Sequence, residues 1–141
     1  MKKSDLIGVW ELISFKIHEK NGNTLYPYGK DAIGYIIYTP DNMVSVHMMS
    51  AKRLQNNQYQ YQSGTDIEKI EGAENYGGYI GAYELKDNLV IHFPKLCGFP
   101  TLLNTLQPRE LSLSSNRLTL SHLDPTNQIE SLALWEKTQT Q

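Results

Sequence analysis

An all-β, antiparallel barrel of eight or nine strands with one short helix is the fold this 141-residue chain predicts. Three observations carry that expectation. Short runs of alternating apolar and polar residues recur along most of the chain, the period-two signature of half-buried strands. Tight-turn residues separate the runs, among them Asn21-Gly22-Asn23, Asp87-Asn88 and Ser115-Asn116. Near the start, Gly8-Val9-Trp10-Glu11-Leu12-Ile13-Ser14-Phe15 opens a strand with Gly-x-Trp. A sheet closed on itself at this size either fills its inside with side chains or holds one small molecule there.

The first strand runs from about Gly8 to Glu19 and ends at the Asn21-Gly22-Asn23 hairpin turn. A short extended piece, Thr24 to Tyr28, leads into a turn at Gly29-Lys30-Asp31. Ile33 to Thr39 and Met43 to Met49 form a hairpin around Pro40-Asp41-Asn42, where proline presets φ and asparagine tolerates the left-handed region. From Ser50 to Gly64 the chain is polar and glutamine-rich without a usable period, a loop of low order or a flap. Thr65 then N-caps a helix, with Glu68 reaching back to complete a capping box. That helix runs to about Tyr76 and stops at Gly77-Gly78. Its apolar positions Ile67, Ile70 and Ala73 make a narrow stripe, so the helix lies on something rather than inside it.

Strands resume at Ile80 to Leu85, Leu89 to Phe93, Arg109 to Ser114, Leu118 to Leu123 and Ile129 to Glu136. Between Pro94 and Pro108, the segment Lys95-Leu96-Cys97-Gly98-Phe99-Pro100 is either a bulged strand or a loop over one end. Thr138 to Gln141 reads as a frayed tail. No repeat, linker or composition shift divides the chain, so residues 1–141 read as one domain.

Composition narrows the function classes. Hydrophobic residues make up 40% and charged residues 20%, an ordinary globular balance. Net charge is −2 with both signs interspersed, which gives no phosphate-neutralising patch and sets nucleic acid aside as a partner. Cys97 is the one cysteine, so no internal disulfide forms, in keeping with a reducing cytoplasm. The start, Met1-Lys2-Lys3-Ser4-Asp5, lacks a following apolar leader, and no stretch approaches the roughly 20 apolar residues of a membrane span. A cytoplasmic protein without a membrane partner is the expectation.

Turn geometry assigns side chains to faces. A two-residue turn at Ser115-Asn116 places Leu113 opposite Leu118, Leu111 opposite Leu120, and Arg109 opposite His122, with the apolar pairs inward. Arg109 and His122 then sit at the inward edge near one end, either as an anchor for a ligand's carboxylate, carbonyl or enolate or as a solvated rim pair. The Asp87-Asn88 turn puts Tyr83 opposite His92, as a structural hydrogen bond or as a donor and acceptor over a substrate. A three-residue loop there would instead turn His92 outward. At Pro40, a three-residue loop with Asn42 left-handed groups Ile36 and Tyr38 with Val44, Val46 and Met48 inside, leaving Tyr35, Ser45 and His47 outside. A two-residue register would aim His47 inward, since a one-residue slip flips every side chain.

The four histidines, His18, His47, His92 and His122, lack the close spacing of a helical zinc pair, and no metal is expected. Gly-x-Ser-x-Gly, P-loop and dinucleotide fingerprints are absent, and no cofactor is expected. Gly77-Gly78 and Gly81 follow a helix rather than precede one, the wrong context for phosphate. Cys97 reads as a small buried hydrophobe before a nucleophile.

Several segments resemble the bacterial and fungal lipocalin-like domain family. They are Leu6-Ile7-Gly8-Val9-Trp10-Glu11-Leu12, Tyr26-Pro27-Tyr28-Gly29, Asp31-Ala32-Ile33-Gly34-Tyr35-Ile36-Ile37-Tyr38-Thr39-Pro40-Asp41 and Leu134-Trp135-Glu136. Gly81-Ala82-Tyr83-Glu84-Leu85 and Arg109-Glu110-Leu111-Ser112-Leu113 fit it too. The resemblance implies a lipocalin-like antiparallel barrel of eight or more strands, with an internal cavity and a helix over one end. It also implies that Trp10 packs across the closed end, with a basic residue of the last strand above it, a role Lys137 matches loosely. Phe93-Pro94 departs from the family pattern by interrupting a strand. Related barrels include cofactor-free isomerases and cyclases.

The leading expectation is binding of a small, largely apolar molecule inside the barrel. Its lining would be Ile36, Tyr38, Val46, Met48, Tyr83, Leu111 and Leu120, with Arg109, His122 or His92 as polar contacts. The alternative is an isomerase or cyclase in the same pocket, drawing its catalytic groups from Tyr83, His92, Arg109 and His122. A third reading is a packed barrel that acts through its surface. The last strand is apolar on two faces, Leu132 and Leu134 against Ile129, Ala133 and Trp135, so the helix or a second subunit of a homodimer would cover it.

Overall fold

In the computed structural model, which describes residues 1–54 and 58–138, the strands close into a ring. The order begins with helix α1 (Lys3–Leu6), strand β1 (Gly8–His18), strand β2 (Thr24–Leu25), strand β3 (Ile33–Tyr38) and strand β4 (Met43–Met49). A 3₁₀ turn at Ala51–Leu54 and helix α2 (Asp66–Glu74) follow, then β5 (Tyr76–Lys86) and β6 (Leu89–Cys97). After a second 3₁₀ turn at Pro100–Leu102 come β7 (Gln107–Ser114), β8 (Arg117–Leu123) and β9 (Glu130–Lys137). Eight strands pair antiparallel in the order β1-β3-β4-β5-β6-β7-β8-β9, and β9 returns to β1. The short β2 is a ninth strand, laid on the far end of β1 through Ile17–Leu25 and His18–Thr24.

The three hairpin registers follow from their turns. Tyr38 lies opposite Val44 and Ile36 opposite Val46, with Asn42 at φ 70°, so the Pro40 loop has three residues and His47 faces out. Tyr83 lies opposite His92, and Asp87 takes the left-handed conformation at φ 57°. Leu113 meets Leu118, and Leu111 meets Leu120, across a turn with Ser115 left-handed. That ladder starts at Glu110–Ser121, however. The expected Arg109–His122 pair does not form: Arg109 pairs with Val90 on β6, and His122 with Ser131 on β9.

Two irregularities set which side chains face in. On β1, a bulge between Leu12 and Ser14 inserts one residue and reverses the alternation. Trp10 and Leu12 before it and Phe15 after it therefore all reach the interior. On β5 and β6, a shift between Ile80 and Gly81 carries the ladder through Pro94 to Cys97. The strand that Phe93-Pro94 would interrupt thus continues. Past His92, β6 has no ladder partner on its β7 side, a position that tolerates a residue without an N–H.

The helix differs from expectation in its end and in its covered face. Thr65 and Glu68 do form the capping box. Yet α2 ends at an Asn75 C-cap, and Gly77-Gly78 belong to β5. A Cβ at Gly77 would overlap the Tyr28 hydroxyl and the Phe99 ring, and one at Gly78 would crowd the Val46 carbonyl. The pair serves close approach, not helix termination. Ile67, Ile70 and Ala73 are exposed; the helix buries Gly72 instead, against the Tyr59 ring. It packs beside β5, across the barrel from β9, and does not cover Leu132 and Leu134. Of the polar loop, residues 55–57 lie outside the described residues, as do 139–141 of the expected frayed tail; Thr138 itself bonds the Val9 carbonyl.

One half of the interior is solid. Trp10, Tyr38, Val44, Val90 and Leu118 are wholly buried there. Leu6 of α1 closes that end, its carbonyl accepting the Trp10 Nε1–H at 2.8 Å. The Lys137 ammonium stands 5.2 Å from the Trp10 ring centroid. Both roles implied at the closed end are thereby filled.

Candidate functional site

The other half of the barrel is hollow. A cavity of about 190 Å³ opens there. Ile36, Val46, Met48, Leu120 and Ala133 supply aliphatic wall, and Phe15 and Trp135 supply aromatic wall. Tyr28, Phe99 and Leu102 come from the loops at the end opposite α1, with the Phe15 and Tyr28 rings stacked at 6.1 Å. Gly77 lets the Tyr28 hydroxyl and the Phe99 ring come close to β5.

Polar groups gather on one wall. His92 is 1% exposed, and its ring is held at both nitrogens. The Tyr38 hydroxyl lies 2.7 Å from Nε2 and the Tyr79 hydroxyl 2.6 Å from Nδ1. Burial, and secondarily the nearby Arg109 charge, pushes the imidazole pKa down to about 3, so the ring is neutral at ordinary pH. A neutral imidazole carries one N–H and one lone pair. One tyrosine must therefore donate and the other accept.

Burial decides which. Tyr38 is fully buried, with no other hydrogen-bond partner among the described residues, while Tyr79 lines the cavity. Were Tyr38 the acceptor, its own proton would be stranded, a cost of roughly 1–3 kcal/mol. Tyr38 accordingly donates to Nε2, and Nδ1–H donates to the Tyr79 oxygen. The Tyr79 proton is left for a cavity occupant. Burial raises the Tyr79 hydroxyl to about 12, against a weaker lowering by Arg109, so it stays protonated. Burial also raises Tyr38 well above the ordinary tyrosine value.

Arg109 completes the wall. Its guanidinium donates to the Pro108 carbonyl at 2.8 Å and to Gln107 Oε1 at 3.4 Å. Among the described residues no carboxylate pairs with it; the one ion pair there is Arg117–Glu136. Trp135 Nε1 is buried and has no acceptor among the described residues. Among the described residues no three His, Cys, Asp or Glu side chains converge on a metal position.

Six residues expected at the site line the cavity: Ile36, Val46, Met48, His92, Arg109 and Leu120. Four do not. Tyr38 and Tyr83 lie in the solid half, with Tyr83 donating to the Thr39 carbonyl at 2.9 Å. Leu111 packs against the core, and His122 is half-buried on β8. Tyr79 and Phe15 are the principal residues the sequence reading missed. Period two from Tyr83 leads to Tyr79 once β5 is extended across Gly77-Gly78, whereas Phe15 is hidden by the β1 bulge.

The model of the lipocalin-like domain family matches residues 7–138. No curated protein matches the chain. Among solved structures, it is similar to a lipocalin-like protein from Bacteroides uniformis, at 14% identity and a TM-score of 0.49, over 95% of this chain and 99% of that one. It is also similar to the lipoprotein YedD from Klebsiella pneumoniae subsp. pneumoniae, at 10% identity and a TM-score of 0.46, over 99% of this chain and 77% of that one. The matched span takes in all nine strands, and the chain belongs to the family of lipocalin-like domains.

Proposed function

We propose that this protein binds a small, largely apolar molecule in the hollow half of its barrel. The observation that carries the reading is the division of the interior, with a cavity of about 190 Å³ above a solid floor. Apolar cavities of about 150 Å³ admit benzene, so an occupant of one ring or a short branched chain fits. Burying about 200 Å² of its apolar surface would contribute roughly 5 kcal/mol before association costs.

The polar wall supports binding over proton transfer. A neutral His92 with a pKa near 3 is a weak base, and tyrosines raised above their ordinary value are weak acids at neutral pH. An isomerase or cyclase in this pocket would have to work by shaping its substrate, with Tyr79 as a hydrogen-bond donor.

Native mass spectrometry of the purified protein tests the reading, with Met48→Trp as the cavity-filled control. A co-purifying small molecule, absent from the control, is the expected result. Equal retention by the filled variant would contradict it.

A further inference from the structure

We infer that the cavity's occupant is a small organic carboxylate, its apolar body in the hollow and its anionic head received by Arg109 and Tyr79. This rests on the binding reading above and adds the chemical class of the ligand.

The argument is one of polar complementarity. Arg109 is the one charged side chain among the described residues that line the cavity. It spends two hydrogen bonds on neutral oxygens, Pro108 O and Gln107 Oε1, and holds no carboxylate partner among the described residues. A guanidinium has five N–H donors in a planar fork, so three stay free in a geometry matched to a carboxylate. Tyr79 adds its O–H, because its oxygen already accepts from His92 Nδ1. Ser131 brings a hydroxyl that can act either way. The wall thus offers several donors and one positive charge, with no side-chain carboxylate to answer them.

A cationic ligand would meet Arg109 unscreened by any acid. A plain hydrocarbon would leave the guanidinium facing apolar surface, which is costly. A carboxylate answers the guanidinium and the Tyr79 hydroxyl together. The body must be short, because the cavity ends on the solid half of the barrel and on Trp135. An aryl or branched-alkyl acid of about ten heavy atoms fits a hollow somewhat larger than one that takes benzene.

Isothermal titration calorimetry of the full chain with 3-phenylpropanoate and its neutral isostere 3-phenylpropanamide tests the assignment. The acid is expected to bind about 10- to 100-fold tighter than the amide, the range for a charge-assisted hydrogen bond. In Arg109→Gln that ratio should fall to near one with the amide's affinity kept, Arg109→Lys should restore part of it, and Tyr79→Phe should weaken the acid more than the amide. The native ratio needs no variant, so a misfolded Arg109→Gln does not block the test. Equal affinity for acid and amide, or a ratio unchanged in Arg109→Gln, overturns the head-group assignment and leaves the apolar pocket standing. Binding of neither probe overturns it too; the mass-spectrometric comparison with Met48→Trp then shows whether the pocket reading falls with it.

Discussion

The Tyr38 hydroxyl lies 2.7 Å from Nε2 of His92, at the boundary between the solid and hollow halves of the barrel. That bond faces protein on every side, whereas its counterpart from Nδ1 to Tyr79 borders the cavity. Removing the two hydroxyls should therefore have unequal effects. Tyr38→Phe strands a buried lone pair and should cost about 1–3 kcal/mol. Tyr79→Phe leaves Nδ1–H where water can reach it and should cost about 1 kcal/mol or less. Urea unfolding of both variants checks this, and the reverse order would contradict the tautomer assigned to His92.

His92 also sets a pH dependence. Its folded pKa, near 3, is depressed below the ordinary histidine value of about 6.5. Below pH 6.5 the unfolded chain takes up a proton that the folded one refuses, so stability is present above that pH and is lost as pH falls toward 3. In that window the native protein should lose about 1.4 kcal/mol per pH unit more than His92→Gln. Denaturant unfolding at pH 6, 5 and 4 reads the difference, and parallel profiles would contradict it.

Gly81 sits at the register shift between β5 and β6, and a Cβ there would overlap the Phe93 carbonyl. Gly81→Ala should cost about 1–3 kcal/mol, because backbone must move to admit the methyl. At Gly98 a Cβ would meet nothing nearer than the Gly78 carbonyl oxygen at 3.8 Å. Gly98→Ala should stay within about 0.5 kcal/mol of the native protein. Thermal unfolding of the two variants checks the contrast.

The Lys137 ammonium over Trp10 ties the last strand to the closed end. Lys137→Met keeps an apolar stem and removes the charge, so it isolates the cation–π contact. A loss of about 0.5–1 kcal/mol is expected, nearly independent of salt in comparison with the exposed Arg117–Glu136 pair. A salt-sensitive loss would instead point to a surface charge effect.

Hairpins made the barrel legible. A turn of fixed length couples two strands rigidly, so the three-residue loop preferred at Pro40 and the two-residue turns at Asp87-Asn88 and Ser115-Asn116 pair Ile36 with Val46, Tyr83 with His92 and Leu111 with Leu120, as the structure does. Alternation then puts Ile36, Val46, Met48 and Leu120 on the inner face, where they line the cavity. It failed where the period broke. The extra residue after Leu12 swings Phe15 inward against the parity of Trp10, and no residue type announces such a bulge. Gly77-Gly78 misled for a related reason. Next to a capped helix, two glycines look like a stop, while here Gly77 lets Tyr28 and Phe99 approach a strand and Gly78 admits the neighbouring Val46 carbonyl, contacts between distant parts of the chain.

The depth of the core was hidden for a further reason. Face assignment says which side chains point in, but not how far along the axis each one sits. Tyr38 and Tyr83 point inward as expected, yet they fill the end under Thr39 rather than the cavity. Arg109 and His122 share a face in the extended ladder, but β7 leaves β8 before reaching them and turns onto β6. Twist and closure of the barrel decide these depths.

Methyl-resolved NMR during a titration with 3-phenylpropanoate tests the central claim most directly. An occupied hollow half predicts that Val46, Met48 and Leu120 shift together and saturate, while Val44, Val90 and Leu118 stay in place. Shifts confined to outward-facing Ile33, Ile37 and Leu123, or no saturable shift at all, would contradict it.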